Sequence, residues 1–145
     1  MNKPISSHAH AAKLIRAELK RRGYKASVRS SSYSMGSSVH VHIYEDLRPE
    51  VVEEIQSWCG QFQYGHFDGM VDLYEYSNRR DDLPQVKFVL VQVHYSAEAH
   101  AYARSWTYRE EDDTSAEWLA LSRNYGNFWD RFEEHKQLEA RLRAH

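Results

Sequence analysis

Residues 27–43, SVRSSSYSMGSSVHVHI, constrain the fold of this chain most, because two alternating runs flank a short turn. Residues 27–32 and 39–44 read as strands, and Gly36 permits a positive backbone angle near the turn, so the spacing predicts a β-hairpin. In the second run Val39, Val41 and Ile43 point one way and His40, His42 and Tyr44 the other, giving one apolar and one polar face. Seven serines crowd this stretch: Ser27, Ser30, Ser31, Ser32, Ser34, Ser37 and Ser38. A hairpin turn needs only one or two special residues, so this tip carries more donors and acceptors than its own geometry demands.

Around the hairpin, the pattern predicts an ordered set of elements. Ala11, Leu14, Ile15 and Leu19 recur at helical spacing over residues 11–22, with Lys13, Arg16, Lys20 and Arg21 between them and Gly23 as the stop. Pro49 opens a second helix with Val51, Val52, Ile55, Trp58, Cys59 and Phe62 on its stripe, ending near Phe62. Asp68 and Gly69 form a turn signature before a third strand over 70–76, and residues 78–84 are a polar turn. Residues 85–95, QVKFVLVQVHY, are apolar on both faces, which predicts a strand at the centre of its sheet. Ser96 is placed to cap a helix over 97–109, and the acids at 110–113 form a solvated turn. Thr114 with Glu117 matches a capping box, and Trp118, Leu121, Tyr125, Trp129 and Phe132 continue an apolar stripe interrupted at Gly126.

The expectation is an α+β fold: an antiparallel four-stranded sheet with helices on one face, in the order helix-strand-strand-helix-strand-strand, plus a C-terminal helical extension. Residues 1–145 are expected to form a single domain, with 11–96 as its core and 97–145 as the extension. A chain of 145 residues, 41% hydrophobic and 13% aromatic, is rich enough to build one core. No apolar run approaches the roughly 20 residues of a membrane helix, and residues 1–22 lack the apolar centre of a secretory signal. A cytoplasmic protein is therefore expected. Cys59 is the only cysteine, which excludes an intramolecular disulfide and a cysteine-rich zinc site. Up to Tyr44 the chain holds eight Lys/Arg and a single acid, Glu18; beyond it, 11 Lys/Arg face 20 Asp/Glu. Such a split makes two partner surfaces of opposite sign or lets the ends attract each other within one fold.

The helix segment AKLIRAELKRR followed by KASVRSSSYSMGSSVHV closely resembles a large polyvalent protein-associated domain, a family of small domains in polyvalent proteins of phages and conjugative elements. FDGMVDLYEY at residues 67–76 is similar to a second block of that family, and residues 86–96 to a looser third. The resemblance spans roughly residues 8–96. It implies a mobile-element accessory protein of the bacterial cytoplasm, without a cofactor, that protects or establishes incoming DNA. Its sharpest form is a non-enzymatic inhibitor of a host defence complex, anti-CRISPR-like or anti-restriction-like.

Several constellations are candidates for chemistry. Arg29, Ser30, Ser31, Ser32, Tyr33, Ser34, Gly36, Ser37 and Ser38 could bind a partner or phosphate oxygens, or the serines could simply pair across the hairpin. Lys13, Arg16, Lys20, Arg21 and Lys25 could lie along a nucleic-acid backbone, or form a solvated helix face. His40, His42 and His94 could supply a three-histidine zinc site, and His66 with Asp68 and Asp72 an acid/base group. The residues at His8 and His10 are expected in a mobile terminus. Neither a nucleophile elbow nor a phosphate-binding glycine loop is present in the sequence. Trp106, Tyr108, Trp118, Tyr125, Phe128 and Trp129 exceed what one helix needs, and any left exposed would anchor a partner or a second copy of the chain.

Overall fold

The computed structural model describes residues 7–71, 73–106 and 114–144, which form two compact units. The first comprises the chain up to Glu45 with Glu53–His94, and the second Asp46–Val52 with Tyr95–His145.

In the first unit, α1 (Ser7–Arg21) buries Ala11, Ala12, Ile15 and Leu19 along one face, as the helical spacing requires. His8 and His10 lie inside this helix, not in a loose terminus. Gly23 ends it at φ 82°, where Tyr24 N–H donates to the Leu19 carbonyl and Gly23 N–H to that of Lys20. The chain then forms β1 (Ala26–Tyr33) and β2 (Gly36–Ile43), antiparallel in a register that pairs Val28 with Val41 and Tyr33 with Gly36. Ser34 and Met35 make the two-residue loop. Gly36 has φ 158°, close to extended, and its hydrogen faces the Lys87 side chain, whose Cδ would lie 2.7 Å from an added Cβ.

Beyond β2 the chain enters α2 (Pro49–Gly60), which buries Ile55 and Cys59, then β3 (His66–Asp68) and β4 (Leu73–Glu75), before β5 (Phe88–Val93). β5 runs parallel to β2, pairing Val39 with Val89, Val41 with Val91 and Ile43 with Val93. The α+β class is as expected, but the four-stranded antiparallel sheet is not formed. A three-stranded mixed sheet, β1-β2-β5, stands beside a two-stranded ribbon of β3 and β4. The cause is the long connection through α2 and the ribbon, which brings β5 back in the direction of β2, as parallel pairing requires. β5 is consequently an edge strand and not the centre; β2 takes the centre, with Val39, Val41 and Ile43 completely buried and α1 packed on β1 and β2.

The third expected strand is also shorter than 70–76. The Asp68 carboxylate accepts the Met70 N–H at 3.0 Å, which holds the chain in a turn and delays pairing until Leu73. Both sheet edges carry side-chain plugs: Arg16 Nη2 donates to the Val28 carbonyl at 2.7 Å, and Val89 N–H donates to Gln63 Oε1 at 2.8 Å.

The described residues of the second unit are mainly helical. Ser96 Oγ accepts the Ala99 N–H at 3.1 Å at the start of α3 (Ala97–Trp106), and the Asp46 carboxylate accepts both the N–H and the hydroxyl of Ser96. α4 (Thr114–Arg123) and α5 (Phe128–Arg143) are separated by a 3-10 turn, Tyr125–Asn127. The break falls where Asn124, Gly126 and Asn127 adopt left-handed angles of 53°, 63° and 60°. Ala99, Ala103, Ala120, Leu121, Phe128, Trp129 and Phe132 form its core. Glu117 pairs with His100 at 2.7 Å, while the Thr114 side chain that would complete the capping box lies outside the described residues.

Gly65 is the most crowded glycine of the first unit, since a Cβ there would lie 2.0 Å from the Glu75 carbonyl oxygen. Gly65→Ala is expected to cost about 1–3 kcal/mol in chemical denaturation, the range for forced overpacking. Gly60→Ala, where a Cβ meets nothing within 4 Å, should leave the midpoint unchanged or raise it.

Candidate functional site

Strand alternation places Ser27, Arg29, Ser31 and Tyr33 of β1 on the sheet face opposite the core, beside Ser38, His40 and His42 of β2 and Phe88, Leu90 and Gln92 of β5. Tyr44 and His94 extend that face. The His94 ring stacks on Tyr44 at 4.8 Å and lies 5.1 Å from His42, whose Nδ1 is 2.9 Å from His94 Nε2. One ring N–H thus donates to the bare nitrogen of the other. His40 Nε2 sits 3.3 Å from Ser38 Oγ, which also meets Ser31 Oγ at 2.9 Å across the hairpin. The three histidines therefore share a face, but among the described residues no group of three or more His, Cys, Asp or Glu is placed to hold a metal ion.

The serine tip divides by face. Ser38 is buried, Ser30 and Ser37 are half-buried, and Arg29, Ser31, Ser32, Tyr33 and Ser34 are exposed. Hydroxyl pairing across the strands accounts for Ser31 and Ser38. Lys87 Nζ donates to the Met35 carbonyl at 3.2 Å and lies 5.2 Å over the Tyr74 ring, so the tip is tied to the β3–β4 ribbon.

That ribbon rests on an aromatic base. Tyr64, Tyr74 and Tyr76 pack with centroids 5.3–5.8 Å apart, Tyr74 also meets Phe88 at 5.6 Å, and Arg79 lies over Tyr64 and Tyr76. Tyr74 donates to the Lys87 carbonyl at 2.6 Å, and burial, reinforced by its tyrosine neighbours, pushes its phenol up to about 12. Beyond this base the ribbon ends in exposed apolar side chains: Phe67, Met70, Val71 and Leu73 are 53%, 95%, 56% and 63% exposed. Pairing puts Phe67 with Tyr74 on one face and Leu73 with Asp68 on the other, with Met70 and Val71 in the connecting turn. The tip is an apolar wedge. Met70, Val71 and Leu73 read in the sequence as ordinary strand residues; the adjacent apolar pair Met70 and Val71, directly after the Asp68-Gly69 turn signature, was the available signal.

The ribbon spans residues 66–75 and the hairpin residues 26–43, and both fall within residues 6–99, which match the family model of large polyvalent protein associated domain 29. The chain belongs to that family. Membership links it to proteins of phages and other mobile elements. Comparison with curated proteins and with solved structures finds no match. No helix among the described residues of this family member is long and apolar enough to cross a membrane.

The remaining candidates are held in structural contacts. Asp68 belongs to the turn, His66 meets Ser77 at 2.8 Å and Glu75 at 3.4 Å, and Asp72 lies outside the described residues. Burial pushes the Cys59 thiol up to about 12, which removes the thiolate at neutral pH. On the basic helix, Arg16 is committed to the Val28 carbonyl, while Arg21 and Arg22 both bind the Glu18 carboxylate. Lys13, Lys20 and Lys25 stay exposed. The tail aromatics split: Phe128 and Trp129 are buried, Trp118 and Tyr125 are exposed, and the Trp106 side chain and Tyr108 lie outside the described residues.

Hydrogen bonds from Arg21 and Arg22 lower the Glu18 carboxyl from 4.5 to about 2. A depressed folded-state pKa gives stability that is present above the unfolded value and lost as pH falls through the folded one. Glu18→Gln should therefore lower the melting temperature at pH 7 and flatten its decline between pH 4.5 and 2. An unchanged acid profile in that variant would contradict the clamp.

Proposed function

We propose that this mobile-element protein is a non-enzymatic binding protein that docks on a host protein complex through the β3–β4 wedge and the adjoining hairpin tip. Its use is interference with a host defence system, in the manner of anti-CRISPR or anti-restriction proteins. The observation that carries the reading is the exposure of Met70 and Val71 in one short turn together with Phe67 and Leu73 on the two strands it joins. Scattered apolar residues on a surface are ordinary, but a contiguous cluster marks a contact site, and large side chains standing clear of the surface fit a partner's pocket.

Chemistry and charge support the same direction. Of the groups singled out for nucleophilic or acid/base chemistry, Cys59 is buried and Asp68 holds a turn. Arg16, Arg21 and Arg22 are held by partners within the protein, which leaves the first helix poorly furnished for tracking a nucleic-acid backbone. Ser32 and Ser34 on the hairpin tip would form the polar rim of the contact.

Expression in strains that each carry one CRISPR or restriction system tests this, with phage plating and plasmid transformation as readouts. The native chain should raise phage plating or plasmid transformation against at least one system above the vector control. It should also copurify with a component of that system. Met70→Asp with Leu73→Asp should abolish both effects while keeping the native circular dichroism and melting temperature. Relief of none of the systems, or relief that survives the double substitution, would overturn the proposal.

A further inference from the structure

The sheet face opposite the core differs in character from the ribbon wedge. It holds no Asp or Glu on any of its three strands, in a chain with 21 acidic residues. Its formal charge comes from Arg29, which is exposed and whose guanidinium makes no hydrogen bond or ion pair within the described residues. Planar rings stand on the same face. Tyr33 and Tyr44 are each 46% exposed, and Tyr44 lies within 17° of parallel to the His94 ring beneath it. A ring already supported from one side by another ring is held in a fixed plane, which lowers the ordering cost of a further stack.

We infer that this face binds single-stranded nucleic acid, with bases stacking on Tyr33 and Tyr44 and phosphate oxygens meeting Arg29. Three features select that occupant. Strands without Asp or Glu do not themselves repel a polyanion, so Arg29, the charge on this face, acts without an opposing carboxylate on its sheet. Exposed aromatic rings on an open sheet accept unpaired bases, whose faces a duplex hides within its stack. The serine hydroxyls of Ser27 and Ser31 lie in the same rows as Arg29 and Tyr33, and they offer hydrogen bonds to sugar or phosphate along the strand direction. The inference stands apart from the ribbon wedge, because none of these residues belongs to β3 or β4.

Fluorescence anisotropy with labelled oligonucleotides of about 15 nucleotides tests it, using oligo-dT, mixed RNA and a matched duplex. The native chain should bind both single strands in a saturable way, more tightly than the duplex, and more weakly as salt rises from roughly 50 to 200 mM. Tyr33→Ala with Tyr44→Ala should weaken binding about thirtyfold or more, the low end of the range for losing two stacked bases. Arg29→Ala should weaken binding alike across sequences and reduce the salt slope by about one. Tyr44→Phe keeps the ring and should keep the affinity, so it carries the test if the alanine variant misfolds, together with Tyr33→Ala. Met70→Asp with Leu73→Asp should bind nucleic acid as the native chain does, which separates failure of this inference from failure of the wedge. Absence of saturable binding, equal affinity for duplex, or full affinity in the Tyr33→Ala and Arg29→Ala variants would overturn the inference. So would a host protein whose capture depends on Tyr33 and Arg29 in the absence of nucleic acid.

Discussion

The pairing of β2 on both sides is the constraint from which the first unit follows. Its apolar residues Val39, Val41 and Ile43 are fully buried between β1, β5 and the helix packed above them. Burying side chains of this size contributes about 1.5–3 kcal/mol each, more than any single polar contact on the sheet. Because side chains alternate, sending these three inward sends Ser38, His40 and His42 outward. The polar face is therefore a geometric consequence of the core, and only the identity of its residues is free. A one-residue slip would expose all three apolar side chains at once, so the register is firmly set.

That logic explains what was legible in the sequence. The hairpin register and the buried face of α1 follow from local alternation and helical spacing, and both were readable without knowing any partner element. The place of β5 was not. Its run FVLVQV is apolar on both faces, which reads as a central strand, yet one face meets the core and the other lies against Tyr74 through Phe88. Direction escaped for a related reason: antiparallel or parallel pairing depends on where a connection of more than forty residues returns, and no local pattern encodes that. The ribbon was half legible. Asp68 and Gly69 announced a turn, but the capture of the Met70 N–H by Asp68 shortened the strand and left Met70 and Val71 at its tip.

Charge counting was misleading in a way that has a simple cause. The N-terminal segment is basic by composition, yet several of its cations complete the fold. Arg16 closes an outward carbonyl of β1, and Gln63 does the same for an amide of β5, so each edge presents fewer unpaired groups to another strand. Arg21 and Arg22 converge on Glu18, with Arg22 also reaching Glu54 at 3.4 Å. In the second unit, Arg48 binds Asp130 and Glu133 at 2.7 Å each and fastens the segment Asp46–Val52 to α5. Cations that look available in a sequence are thus spent on structure where a carboxylate or carbonyl lies within reach. Arg29 differs because the strands of its sheet carry no Asp or Glu for it to meet.

The ribbon wedge owes its presentation to the aromatic base beneath it. Tyr74 is pinned by the bond its phenol donates to the Lys87 carbonyl, while Lys87 and Arg79 lie over the surrounding rings. Each contact of this kind is worth about 0.5–1 kcal/mol where exposed, but several sharing the same rings restrict one another's rotamers. A two-stranded ribbon with three-residue strands is too small to be stable alone. It persists because Tyr64, Tyr74 and Tyr76 fix it to the sheet through Phe88. The apolar tip is therefore held in place by its own base, so on the proposed reading a partner burying Met70 and Leu73 would not have to order the turn that carries them.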